Sequence, residues 1–253
     1  MESTSVTERL TAARTALRRE RRVVADEREA FEAFHDRLQG IEPDGATTTA
    51  DRRVLVAGPT AASAETVRDA YVATVMSVPH YDEEYGEPYR EHLAAEFGIE
   101  VAAALDSGFD ARTKRAMLTA ADGAHDDRVR FVVELDAEAA SLSAAEGVIE
   151  EVRDELAALD AEAANADRYG TLDAIRARLG VLADHCEEAA DERQADVDAD
   201  RETFDLPGRC PDVQEYLYAD LDASYPALAS LAELGDHVRR TRRRVERRLA
   251  RVG

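Results

Sequence analysis

The residue types best suited to bind a metal or a small ligand gather between Val78 and Gly98. This segment holds two of the six histidines and three of the eight tyrosines, beside several carboxylates. Imidazole nitrogens and carboxylate oxygens are common metal ligands. We therefore treat His80, His92 and Glu91, with Glu84 as an alternative carboxylate, as candidate metal ligands.

The spacing of these candidates matches no compact metal motif such as H-E-x-x-H, so packing is the competing interpretation. A tyrosine buries a large ring while its hydroxyl remains hydrated or hydrogen-bonded. We expect the local tyrosines to anchor this segment onto the long helices, which the spacing favours over a ligand site. The tyrosines in question are Tyr71, Tyr81, Tyr85 and Tyr89.

A second feature that could bind a ligand is the run of eight arginines and one glutamate in residues 239–253. Such a run is typical of contacts to nucleic acid or another anionic surface. It could equally pair inside the protein with acidic helices such as residues 184–205. The candidate contacts are Arg239, Arg240, Arg242, Arg243, Arg244, Arg247 and Arg248.

The overall charge helps to choose between these two roles of the arginines. The chain has 54 acidic residues, a net charge of -22, and Lys114 as its one lysine. Hydrated acids and weakly hydrated arginines are typical of adaptation to concentrated salt. In molar salt the Debye length is only about 3 Å, and six phosphate contacts give a log–log salt slope of roughly -5. This favours internal pairing over nucleic-acid binding.

Several function classes lack their motifs in this chain. Glycine-rich nucleotide loops, the G-x-S-x-G nucleophile motif and the kinase motifs are missing, so we predict no enzyme activity, no catalytic residue and no cofactor. No apolar run approaches about 18 residues, and no apolar signal core is present. We therefore expect a cytoplasmic protein without a membrane partner. Whether Cys186 and Cys210 form a disulfide stays open.

Long helices must position these residues. Apolar residues recur at heptad spacing in four stretches, and Ser5-x-x-Glu8 has the spacing of a capping box at the start of the first. Glu138 interrupts the apolar seam of the second. The short turn between the second and third stretches predicts an antiparallel hairpin. The predicted helices span residues 5–39, 126–164, 171–203 and 225–251.

These elements predict an all-α fold, an elongated antiparallel bundle or coiled coil with a small helical insert. The N-terminal helix takes residues 1–39, and a linker rich in glycine and threonine takes residues 40–53. Shorter helices form a compact insert over residues 54–122, which a helix break at Gly123 ends. Residues 123–253 form the remaining bundle helices, which pack with residues 1–39.

Two stretches carry a resemblance to a known family, AFEAFHDRL and YVATVMSVPHYDEEYGEPYREHLAAEFG. Together with the N-terminal helix they resemble a family of haloarchaeal proteins known only as a domain of unknown function. The resemblance covers most of the chain. It implies an archaeal, cytosolic and helical protein, and it implies no activity and no catalytic residue.

Three functions remain after these exclusions. We favour a non-enzymatic helical interaction or scaffold protein, which binds a protein partner or associates with itself. The first alternative is a DNA-associated transcriptional regulator that uses the arginine-rich C-terminal helix, or the helices within residues 99–121 with Lys114 and Arg115 as phosphate contacts. The second alternative is a metal or small-ligand sensor that uses residues 78–98.

Overall fold

The computed structural model describes residues 2–44, 61–203 and 212–252, and every regular element in these ranges is a helix. This confirms the predicted all-α fold. A short 3₁₀ turn at Val75–Ser77 accompanies nine α-helices in the described ranges. The α-helices are α1 (Glu2–Gly40), α2 (Ala61–Val72), α3 (Tyr81–Glu84), α4 (Tyr89–Phe97), α5 (Ile99–Ser107), α6 (Ala111–Asn165), α7 (Tyr169–Thr203), α8 (Val213–Leu217) and α9 (Pro226–Val252).

The predicted helix break at Gly123 is wrong, because α6 continues through it for 55 residues. A glycine inside a helix costs only about 1 kcal/mol relative to alanine. Ala121 and Ala124 are buried on either side of it, and their packing outweighs that cost. Asp110 caps the start of α6, since its carboxylate accepts hydrogen bonds from the backbone amides of Arg112 (2.8 Å) and Thr113 (2.7 Å).

The predicted linker at residues 40–53 falls mostly outside the described residues, which stop at residue 44 before this gap. Residues 54–60, the beginning of the predicted insert, lie in the same gap. After it, α2, α4 and α5 are short helices of the kind expected, and α3 is an additional helix that was not predicted.

The chain divides into two compact units. The bundle unit comprises Met1–Glu20 and Glu134–Gly253, and the aromatic unit comprises Arg21–Val133. Both α1 and α6 therefore contribute residues to each unit. The predicted domains instead ended at residues 39 and 122, where helix termini were expected. Packing partners, not helix ends, set the division.

The bundle unit is a four-helix bundle of α1, α6, α7 and α9 in which successive helices are antiparallel. Residues that approach one another on adjacent helices run in opposite directions along the sequence. The pairs are Arg14–Glu146 and Thr7–Arg153 for α1 and α6, Glu138–Arg193 and Glu155–Arg178 for α6 and α7, and Glu187–Arg239 and Gly180–Arg242 for α7 and α9. These contacts confirm the predicted antiparallel hairpin.

The aromatic unit has a core of large side chains from α1, α2 and α4. Phe31, Phe34 and Tyr71 are fully buried, and the ring centroids of Phe34 and Tyr71 lie 5.1 Å apart in an edge-on arrangement. Phe97 joins them, with its centroid 5.8 Å from that of Phe34. Burying each such ring stabilises the fold by roughly 1.5–3 kcal/mol. This core holds the tyrosine- and histidine-rich segment against α1.

Candidate functional site

The aromatic unit gathers four tyrosines and one histidine from α2, α3 and α4. We call Tyr71, Tyr81, Tyr85, Tyr89 and His92 the aromatic cluster. The ring centroid of His92 lies 4.9 Å from that of Tyr85, 5.0 Å from Tyr81 and 5.8 Å from Tyr71. The centroids of Tyr71 and Tyr89 are 5.5 Å apart. The edge-on geometry of these pairs is the favoured one for aromatic rings.

A tight turn after α3 positions this cluster. Gly86 has φ +59°, a left-handed conformation that costs other residues about 1–2 kcal/mol. Its amide donates to the carbonyl of Tyr81, 3.0 Å away, which ends the helix. The hydroxyl of Tyr81 donates to the carbonyl of Glu87, 2.9 Å away, and so fastens the segment that follows the turn.

The buried polar groups of the cluster are neutral. The Tyr71 hydroxyl lies 2.8 Å from Nδ1 of His92, and the two form a buried hydrogen bond. Burial lowers the pKa of His92, although the charges of Glu96 and Glu87 oppose the shift. Burial also raises the pKa of Tyr71 and raises the pKa of Tyr89 to about 12. None of these groups is ionised near neutral pH.

A network of charged groups borders the cluster. We call Glu27, His80, Glu96 and Arg128, with the hydroxyl of Tyr85, the charged network. Arg128 donates bidentately to Glu96 at 2.8 and 3.0 Å, and through Nε to Glu27 at 3.1 Å. The other Glu27 oxygen accepts from the Tyr85 hydroxyl at 2.6 Å and lies 3.3 Å from Nε2 of His80.

The charged network links α1, α4 and α6 through partly buried charges. Burial lowers the pKa of Arg128, but hydrogen bonds and charges from Glu96 and Glu27 outweigh burial, and the net effect raises that pKa. The guanidinium also lies 4.8 Å from the ring centroid of Phe31, which places a cation against the aromatic core. The arrangement stabilises packing and leaves both carboxylates engaged.

The candidate metal ligands do not converge on one point. His80 faces Glu27, and His92 faces Tyr71. Glu91 and Glu84 are exposed. Across the described ranges, no three His, Cys, Asp or Glu side chains are grouped so as to hold a metal ion. The tyrosines and histidines of this segment therefore contact one another and α1, in the arrangement expected of packing anchors.

Lys114, considered above as a phosphate contact, is occupied within the aromatic unit. Its ammonium group donates to the carbonyl oxygens of Gln39 and Ile41, each 2.7 Å away. These carbonyls lie at the C-terminal end of α1, where helix carbonyls lack partners within the helix. Lys114 thus completes the end of α1.

Most arginines of the run have a partner within the bundle unit, although none of them is buried. Arg239 pairs with Asp236 at 2.8 Å, and Arg242 pairs with Glu246 at 3.2 Å. Arg244 pairs with Asp160 of α6. Arg248 donates to the carbonyls of Ala163 and Ala166 at the end of α6, where a cation also complements the helix dipole. Arg240 is exposed but also has an interaction within the protein.

Three arginines remain on the outer side of α9. Arg243, Arg247 and Arg251 are exposed and form no hydrogen bond or ion pair within the described residues. Successive members are four residues apart, about 6 Å along the helix axis, so they line one face. We call these three the outer arginine face. Arg251 was not among the predicted contacts, although its four-residue spacing from Arg247 could have identified it.

The bundle unit contains a buried polar network that was not predicted from the sequence. Glu138 is 1% exposed and accepts hydrogen bonds from Arg193 (2.7 Å), Gln214 (2.7 Å) and Tyr218 (2.6 Å). The side chain of Gln214 also donates to Asp200 at 2.6 Å, and burial raises the pKa of Asp200. The interruption of the apolar seam by Glu138 was the one sign of this network in the sequence.

The comparison with protein families gives a match over most of the chain. A family described as a domain of unknown function (DUF7260) covers residues 8–242. The chain belongs to this family. No curated protein and no solved structure matches the DUF7260 chain. Both units described above thus lie largely within one DUF7260 domain.

The two cysteines differ in whether the structure describes them. Cys186 is buried in the α7 seam of the DUF7260 domain, and burial raises the pKa of its thiol to about 11. Cys210 lies outside the described residues, so the structure does not address a disulfide between them. Within the described ranges, no helix combines the length and apolar character needed to cross a membrane.

Proposed function

We propose that this DUF7260 domain is a non-enzymatic, cytoplasmic interaction protein that binds an acidic protein surface through its outer arginine face. This proposal rests on a difference between two sets of arginines in α9. Most of the arginine run is bonded within the bundle, whereas Arg243, Arg247 and Arg251 are exposed and form no internal pair. A rigid helix buried along its inner face presents these three cations in fixed positions.

The number of these arginines favours an acidic protein over a nucleic acid. Three phosphate contacts correspond to a log–log salt slope of about -2.7, whereas nucleic-acid binders with 6–10 contacts have much steeper slopes. A protein partner needs only a local acidic patch, and arginine is enriched at protein interfaces.

The state of the ionisable groups supports a role without catalysis. In the described ranges, the clustered carboxylates Glu27, Glu96 and Glu138 are saturated by arginine, histidine, tyrosine or amide donors. The thiol of Cys186 is buried with a raised pKa, which disfavours the reactive thiolate. These groups stabilise the helices, and none of them is poised as a base or a nucleophile.

The proposal extends to the solvent in which this protein works. The scarcity of lysine and the net charge of -22 support a cytoplasm of concentrated salt. Under those conditions simple charge attraction is screened within about 3 Å. Contacts of the outer arginine face must therefore be close and hydrogen-bonded, as arginine–carboxylate pairs are.

A photo-crosslinking experiment in native cells tests this function. A photoreactive phenylalanine analogue replaces Arg247 in one variant and Arg22, an exposed arginine of the aromatic unit, in a matched control. We expect a discrete protein adduct with an acidic partner at position 247 and none at position 22. Crosslinks to nucleic acid at position 247 would support the regulator function instead. Equal labelling from both positions would contradict a specific interface.

A further inference from the structure

The bundle unit contains a cavity of about 160 Å³ between α1, α6 and α9. Its inner wall is formed by Val6, Ile149, Leu156 and Leu234, each of them less than 10% exposed. Ala157 lies at the rim and is exposed. The interior of this cavity is therefore aliphatic, with an opening on the α6 side.

The charged groups around the rim have partners elsewhere in the bundle unit. Arg153 donates to the hydroxyl of Thr7 at 3.2 Å, and Glu233 accepts from Arg9 at 3.0 Å.

Asp160, on the same rim, pairs with Arg244 and lies 4.0 Å from His237. None of these rim side chains depends on a polar ligand for a partner. Because an ordered water needs two to four polar partners, the aliphatic wall offers it none.

The volume of the cavity and its aliphatic lining determine which kind of ligand fits. Aliphatic cavities of about 150 Å³ remain dry and take up benzene or xenon. Helical bundles commonly place ligand sites between facing helices, and packed interiors seldom leave voids larger than a water molecule. We propose that this cavity binds a small, uncharged, apolar molecule, or the apolar group of a larger one, about the size of a benzene ring.

This inference is independent of the proposed partner, because the cavity is lined by inner faces of the helices and not by the outer arginine face. A ligand there adds contacts among the start of α1, the first half of α9 and α6. The domain then has two separate binding sites, the outer arginine face for a protein partner and this cavity for a small molecule.

Two adjacent alanines on α6 allow a matched test. Ala157 lines the cavity and Ala158 does not, although both are exposed. Fluorobenzene binding is followed by ¹⁹F NMR in the wild type, in Ala157→Phe and in Ala158→Phe. We expect saturable binding to the wild type, a loss of about tenfold or more in Ala157→Phe, and a change of less than about twofold in Ala158→Phe.

A second variant and two charged ligands complete this test. Ala157→Leu, a smaller obstruction, replaces Ala157→Phe if circular dichroism shows that the latter does not fold. Benzoate and benzylammonium, which have the same ring but carry a charge, are expected to bind at least about tenfold more weakly than fluorobenzene. No saturable binding by the wild type, equal binding by the Ala157 variants, or preference for a charged ring would each overturn the proposal.

Discussion

Replacing Arg193 by methionine isolates the energetic role of the buried polar network. The side chains of Arg193 and Glu138 are 2% and 0% exposed, and they are joined at 2.7 Å between α7 and α6. Methionine preserves much of the buried volume and removes the charge. The variant leaves the carboxylate of Glu138 without its one cation, while Tyr218 and Gln214 still donate to it.

The expected destabilisation follows from the cost of an uncompensated buried charge. Removing one partner of a buried ion pair costs about 3–5 kcal/mol. Because Glu138 keeps two hydrogen-bond donors, we expect the low end of this range, about 3 kcal/mol. For a chain of this size, 1 kcal/mol corresponds to roughly 2–4 °C. The melting temperature should therefore fall by roughly 6–12 °C.

The assay is thermal and urea unfolding followed by circular dichroism at fixed salt. The same two helices provide a control pair, Glu155–Arg178, whose side chains are 25% and 51% exposed. Arg178→Met removes the same kind of cation from a solvated pair and should cost less than about 1 kcal/mol. The comparison separates burial from charge, because helix identity and residue type are shared.

A double-mutant cycle decides whether the two side chains interact as described. Glu138→Gln combined with Arg193→Met removes both charges, and the glutamine oxygen can still accept from Tyr218. The double variant should be less destabilised than the sum of the single variants by about 1.5–3 kcal/mol. The reasoning is refuted if Arg193→Met costs no more than Arg178→Met, or if the two effects simply add.

Four further predictions concern other parts of the chain. The lowered pKa of His92 lies below its unfolded value of about 6.5, so stability should be complete above that pH and fall as the pH drops below it; His92→Gln should remove this component of urea unfolding, and an unchanged pH profile would contradict it. Cys186 should react with a disulfide reagent at pH 8 no faster than the protein unfolds. The rate is measured in a Cys210→Ser variant, in which Cys186 is the remaining thiol, and rapid labelling would count against its burial. At low salt, Arg244→Gln should lower the melting temperature more than Arg247→Gln, because only Arg244 forms an internal pair; equal losses would be inconsistent with this division. Gly86→Ala should cost about 1–2 kcal/mol in urea unfolding because of the positive φ, and a neutral effect would show that the turn adopts another conformation.

Local patterns in the sequence predicted much of the fold. The heptad spacing of Leu10, Leu17, Phe31 and other apolar residues predicted α1, and the same rule predicted α7 and α9, because burial of one helix face leaves a periodic trace. The continuity of α6 was missed at Gly123, since a penalty of about 1 kcal/mol is smaller than the packing on either side. The division between units was missed because it depends on which faces meet in space.

The candidate site was predictable only where its members are close in sequence. Tyr81, Tyr85 and His92 fall within one short segment, so the sequence singled them out together, although it did not predict that their rings contact one another. Glu138 was noticed as an interruption, but its partner Tyr218 is 80 residues away. A single sequence does not reveal such pairing, since no local spacing relates the two. The free arginines differ from the bonded ones only in helix face, which required the register of α9 against α6 and α7.

The position of Lys114 has a consequence for covalent chemistry. A tetrahedral ammonium can point two hydrogens at two separate carbonyls, here those of Gln39 and Ile41, whereas a planar guanidinium has a fixed fork. At the end of α6 an arginine has the corresponding role, since Arg248 donates to the carbonyls of Ala163 and Ala166. Because the chain has one lysine, Lys114 carries the only side-chain amine that acylating enzymes and reagents can modify. Acetylation there would remove the charge and leave one N–H on the nitrogen, so at least one of the two bonds at the end of α1 would be lost through a single modification.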